Sequence, residues 1–145
     1  MSVAAWLNTA WMLKCSIEGA AFDRASRDVA RAQARLLGQI VRANRDSAFG
    51  TAHCFVDVTD PRSYQERVPL ASYEDFSGAI RRIAAGDSNI LTREPVRLLE
   101  PTSGTSGGEK LIPYTAGLRR QFQRGVAAWI ADLFRHRPPV RRGRA

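Results

Sequence analysis

Cysteine and histidine are scarce in this chain, long hydrophobic runs are missing, and acidic residues nearly vanish from its last stretch. Two cysteines, Cys15 and Cys54, allow at most one pair in 145 residues, which excludes a disulfide scaffold. Neither stands at a short metal-ligand spacing, and two histidines, His53 and His136, argue against a zinc site, so no metal ligand is assigned. A reducing, cytoplasmic setting is the expectation. Among the first seventeen residues, Val3-Ala4-Ala5-Trp6-Leu7 and Ala10-Trp11-Met12-Leu13 are apolar, but Lys14 interrupts them and no basic region precedes them. That falls short of the roughly twenty apolar residues that span a bilayer, and the ordered parts of a signal peptide are absent. A docking helix is expected, with an interfacial membrane helix as the alternative.

What is present suits one modest domain. Apolar residues make up 44% of the chain, enough for a core. The net charge is +8, yet residues 119–145 hold eight arginines against the single acid Asp132. The remainder is nearly neutral, so basicity belongs to one end and not to a folded face, which weighs against a specific nucleic-acid partner.

Periodicity predicts one amphipathic helix from Glu18 to about Asn44, with Phe22, Ala25, Val29, Leu36 and Ile40 on its apolar stripe. Core packing explains the stripe, with a partner-helix groove as the alternative. Phe55-Val56-Asp57-Val58 reads as a short extended piece, and Asp60 as the cap of a helix through Glu66 with Pro61 at its first position. Ser72, with Asp75 three residues on, opens a further helix whose apolar side is Phe76, Ile80, Ile83 and Ala84, and which Gly86 ends. Strands are expected at Val96–Leu99 and from Lys110 to Pro113, the second ended by proline. Thr115 then caps a helix to about Phe134, while residues 136–145 read as a linker or cut end.

Between those strands lies Thr102-Ser103-Gly104-Thr105-Ser106-Gly107-Gly108-Glu109-Lys110. Glycines let successive N–H groups converge on an anion; the hydroxyls add donors and Lys110 a mobile positive charge. A flexible solvent loop is the competing reading. Glu109 and Leu111 flank the lysine where a Walker A loop needs glycine and serine or threonine. The glycine spacing likewise excludes a dinucleotide fingerprint.

This loop resembles the phosphate-binding signature of the adenylate-forming enzymes, with Ser106 for the usual threonine and Glu109 for the usual proline. Together with Ala48-Phe49-Gly50, Tyr64-Gln65-Glu66-Arg67-Val68-Pro69-Leu70, Tyr73-Glu74-Asp75 and Ile83-Ala84-Ala85-Gly86-Asp87, it is similar to the N-terminal part of the auxin-responsive acyl-acid–amido synthetase family, in its bacterial form. The resemblance implies an α/β fold: the N-terminal portion of the large domain of an adenylate-forming enzyme, mainly helices plus a strand–loop–strand unit. It implies an ATP- and Mg2+-dependent ligase that turns a small carboxylic acid into an acyl-adenylate and passes it to an amino acid. Thr102, Ser103, Gly104, Thr105, Ser106, Gly107 and Gly108 would hold the phosphates and Lys110 would serve catalysis, with no role assigned to Glu109. The expected division is an apolar helix or extension at 1–17, a partial ligase domain at 18–135 and an Arg/Pro-rich truncated end at 136–145. On this reading the chain is an N-terminal fragment, inactive in isolation. The alternatives are a non-catalytic vestige or a small basic nucleic-acid-binding or interaction protein.

Overall fold

The computed structural model describes residues 3–102 and 110–142. The elements follow in the order α1 (Val3–Ser26), α2 (Val29–Asn44), α3 (Ala48–Ala52), α4 (Pro61–Arg67), α5 (Ser77–Ala84), β1 (Val96–Thr102), β2 (Lys110–Thr115), α6 (Ala116–His136) and α7 (Pro138–Arg141). Short 3-10 turns stand at Phe55–Asp57 and Glu74–Phe76. The expected class, mainly helices plus one strand–loop–strand unit, is the observed one. The chain divides into two compact units, one formed by the stretches up to Ala32 and from Arg120 onward, the other by Gln33–Arg119.

In the first unit Cys15 of α1 packs with Ile130, Ala131 and Phe134 of α6, and Met12, Val126, Ala127 and Leu133 close around them. Trp11 meets Phe134 edge-on at 5.9 Å. At Gly19 the helices pack tightly: an added Cβ would lie 3.1 Å from that of Ala131. Glu18–Arg124 at 2.9 Å and Asp23–Arg135 at 3.8 Å pair charges along the same two helices. Part of the positive charge of the arginine-rich end is thus matched by α1. The Asn8 side-chain amide donates to the Arg141 carbonyl at 3.1 Å, which ties α7 to α1.

The single helix expected over 18–44 is two helices. Asp28 caps α2, its Oδ1 accepting the Arg31 N–H at 3.1 Å, and the Ser26 hydroxyl donates to the Asp23 carbonyl at 3.0 Å as α1 ends. These local bonds offer the backbone an alternative to the helical ladder. The apolar spacing runs on through the break and hides it.

The second unit is stitched at the corner after α2. Ser47 is fully buried; it donates to the Asn44 carbonyl at 2.7 Å and accepts the Gly50 N–H at 3.0 Å as the cap of α3. Gly50 sits so close to the Asn44 carbonyl that no Cβ fits there. The Ala48 and Phe49 amides donate to the carbonyls of Asn89 and Ile90, and the Asn89 side chain reaches the Asp46 carbonyl at 2.9 Å. Phe55–Asp57, expected to be extended, is a 3-10 turn entered from Cys54 at φ 50°. It buries Phe55 against Phe49 and Tyr64, at 5.8 and 6.1 Å between ring centres, so tertiary packing overrides the strand-like composition. Asp60 caps α4 as expected, with Ser63 returning the bond to the Asp60 N–H. Asp75 Oδ2 accepts from both the N–H and the hydroxyl of Ser72, at 2.7 and 3.0 Å, and the helix signal there begins as the 3-10 turn that leads into α5.

β1 and β2 form an antiparallel ribbon with Thr102 opposite Lys110, Pro101 opposite Leu111 and Leu99 opposite Pro113. The second strand does not end at proline; it continues to Thr115. Antiparallel pairs alternate between those that exchange two backbone bonds and those that exchange none. Both prolines fall on the same alternation, so each occupies a pair that asks no N–H of it.

Candidate functional site

The strand–loop–strand unit is built from its two ends. Thr102 and Lys110 close the ladder, and the Thr102 hydroxyl donates to the Lys110 carbonyl at 3.3 Å. The seven residues between them therefore leave and return at one place. Ser103, Gly104, Thr105, Ser106, Gly107 and Gly108, with Glu109, lie outside the described residues.

Lys110 is not isolated at the strand start. Its Nζ lies 5.4 Å from the centre of the Tyr73 ring, within cation–π range. The Tyr73 hydroxyl accepts the Leu111 N–H at 2.8 Å and lies 3.3 Å from the Leu111 carbonyl, to which it donates. Beside it, the Glu74 carboxyl is held below its ordinary value, chiefly by its own backbone N–H and the Ser72 hydroxyl, with Lys110 a further positive influence. The motif reading singled out Lys110 and passed over Tyr73, which lies 38 residues away from Leu111 in sequence.

The helix that follows does not begin at the loop. α6 starts after the six residues of β2, about 17 Å from Lys110 at the usual rise of a strand. Its first N–H groups are already taken: Leu118 donates to the Thr115 hydroxyl at 3.1 Å, the expected cap, and Gly117 to Glu94 Oε2 at 2.7 Å. The N-terminus of α6 is therefore already capped and is set apart from Lys110 by the length of β2, unlike the helix of a Walker A site, which begins at its loop.

Among the described residues there is no group of three or more His, Cys, Asp or Glu placed to hold a metal ion. Also among these residues, no helix is long and apolar enough to cross a membrane.

The family model described as the GH3 family N-terminal domain matches residues 19–145. A jasmonoyl–L-amino acid synthetase, GH3.3 of Oryza sativa subsp. japonica, is 32% identical over 134 residues, covering 86% of this chain and 27% of that protein. An indole-3-acetic acid-amido synthetase, GH3.8 of Oryza sativa subsp. indica, is 39% identical over 93 residues, covering 63% of this chain and 15% of its own length. Among solved structures, the acyl acid amido synthetase GH3.15 superposes with a TM-score of 0.74 at 27% identity, over 81% of this chain and 22% of that one. The chain thus spans roughly a quarter or less of the relatives it matches.

Proposed function

Because the chain belongs to the GH3 family, we propose that it supplies the triphosphate-holding part of an ATP-dependent ligase that activates a small carboxylic acid and joins it to an amino acid. The observation that carries this reading is the closed ladder at Thr102 and Lys110, which brings both ends of a Ser/Thr/Gly loop together beside the Lys110 ammonium group, itself over the Tyr73 ring. The names of the relatives, synthetases of jasmonoyl and indole-3-acetyl conjugates, support the substrate class.

In this proposal the acid's carboxylate attacks the alpha-phosphate of ATP, giving an acyl-adenylate and pyrophosphate, and the amine of the amino acid then displaces AMP. Backbone amides and hydroxyls of Thr102, Ser103, Gly104, Thr105, Ser106, Gly107 and Gly108 bind the phosphates. Lys110 neutralises negative charge that develops as pyrophosphate leaves. Mg2+, if bound with the triphosphate, would add positive charge against the phosphates beside that of Lys110.

The proposal also carries the division into an extension at 1–17, a ligase portion at 18–135 and an Arg/Pro-rich end at 136–145. A family match beginning at residue 19 supports the first of these borders. A cytoplasmic setting belongs to it as well, supported by two free cysteines. A specific nucleic-acid partner does not, and the pairing of Arg124 and Arg135 with acids of α1 favours leaving it out.

The test is pyrophosphate release from ATP with indole-3-acetate or jasmonate, using protein expressed from the complete reading frame. Acid-dependent release is expected, and Lys110→Ala together with Ser103→Ala should lower it on the order of 10²-fold. Release that does not change in the double variant overturns the assignment.

A further inference from the structure

We propose that Tyr73 is the positioning residue for Lys110, holding the strand that carries the lysine by its hydroxyl and the ammonium group by its ring. The inference rests on the function proposed above and adds to it a residue that loop spacing alone does not indicate.

The reasoning begins with Pro101. A residue opposite proline cannot exchange two ladder bonds, so Leu111 sits in a non-bonded pair and directs its own N–H and C=O away from β1. Half-buried and unpaired, those groups would carry a desolvation cost. The Tyr73 hydroxyl meets both, accepting one and donating to the other. This fixes the backbone one residue beyond Lys110 and orients the phenol along the outer edge of β2. The ring then lies 5.4 Å below the Lys110 ammonium.

Tyr73 is itself fixed by its neighbours. The paired Ser72 and Asp75 enclose it in a turn, and the Phe76 N–H donates to its carbonyl at 3.0 Å. A mobile lysine loses rotamer freedom when it binds an anion. A ring that already restricts the ammonium to the mouth of the loop reduces that loss while leaving the charge free to move onto phosphate.

Lys14 and Lys110 are the two lysines of the chain, which makes amine labelling a clean probe. With an N-hydroxysuccinimide ester at fixed pH, Tyr73→Leu should raise acylation of Lys110 relative to Lys14 by about two- to fivefold. Tyr73→Phe keeps the ring and should change that ratio less, while exchange of the Leu111 amide quickens in both variants. An unchanged ratio in folded Tyr73→Leu overturns the proposal. If Tyr73→Leu fails to fold, Tyr73→Phe decides through Leu111 exchange, and protection equal to the parent's overturns it.

The functional arm uses the complete reading frame. Tyr73→Leu should raise KM for ATP more than it lowers kcat, and the effect should vanish in a Lys110→Ala background. Effects that simply add show a structural role and overturn the proposal. Absence of acid-dependent pyrophosphate release from the parent protein overturns the proposed function, and the labelling ratio still decides whether Tyr73 positions the lysine.

Discussion

Glu94 and Gly117 occupy one another's space: the carboxylate accepts the Gly117 N–H at 2.7 Å and lies where a Cβ on residue 117 would stand. A charge-assisted bond at the start of α6 and the absence of a side chain there are therefore one feature.

Gly117→Ala should expel the carboxylate and cost about 1 kcal/mol, the worth of such a bond at a helix N-terminus. In a Glu94→Ala background the three nearest obstacles, all atoms of that carboxylate, are gone, and the better helix propensity of alanine should make the same substitution neutral or stabilising. Urea unfolding of the four variants measures this coupling. Equal effects of Gly117→Ala in the two backgrounds would refute it.

At Gly50 the obstacle is backbone. A Cβ there collides with the Asn44 carbonyl oxygen and comes within 2.9 Å of the Arg45 carbonyl. Gly50→Ala should destabilise by about 2 kcal/mol, as overpacking commonly does. Ser47→Ala, which removes the α3 cap, should cost about 1 kcal/mol. Thermal unfolding should rank them in that order.

Acid should weaken the fold through its exposed caps. Asp60 is held below its ordinary value chiefly by the Ser63 N–H, and Asp75 by the Ser72 N–H and hydroxyl. The ordinary value for both is 3.8, and lowered values in the folded state mean that the unfolded chain binds protons first. Their contribution is therefore full above that value and lost as pH falls through the lower folded values. Asp60→Asn should flatten the slope of unfolding free energy against pH in that acid range and leave the slope at neutral pH unchanged.

The two cysteines should separate under alkylation. Cys15 is buried in the first unit's core, and burial raises its thiol pKa, whereas Cys54 is exposed. Reactivity follows thiolate content and access. Iodoacetamide should label Cys54 at least about tenfold faster in the native chain, with the difference collapsing in denaturant. Comparable native rates would show that the core around Cys15 opens readily.

Much of the fold was legible because its signals are local. The Asp60-Pro61 start, the Ser72/Asp75 pair, the Thr115 cap and the stop at Gly86 each depend on residues within a few positions, and each stands where its chemistry put it. The family was legible too, since the loop and the segments before it keep their order. Three misreadings have one cause, a local signal overruled by its setting. The apolar spacing of 18–44 continues through a polar break that Asp28 creates. Phe55 joins an aromatic cluster and draws its neighbours into a turn. Pro113 ends no strand because its pair needs no donor. Tyr73 was invisible as a partner of Lys110 because their meeting depends on tertiary folding, which one-dimensional spacing does not record.

The paired prolines have a consequence for fidelity of assembly. Suppose β2 slid by one residue along β1. Pro101 and Pro113 would then fall in pairs of opposite kind, and one ring would stand where the ladder requires a donor. Either direction of slip meets the same penalty. The prolines therefore act as a ruler against one-residue slips: they fix whether the turn between Thr102 and Lys110 holds an odd or an even number of residues.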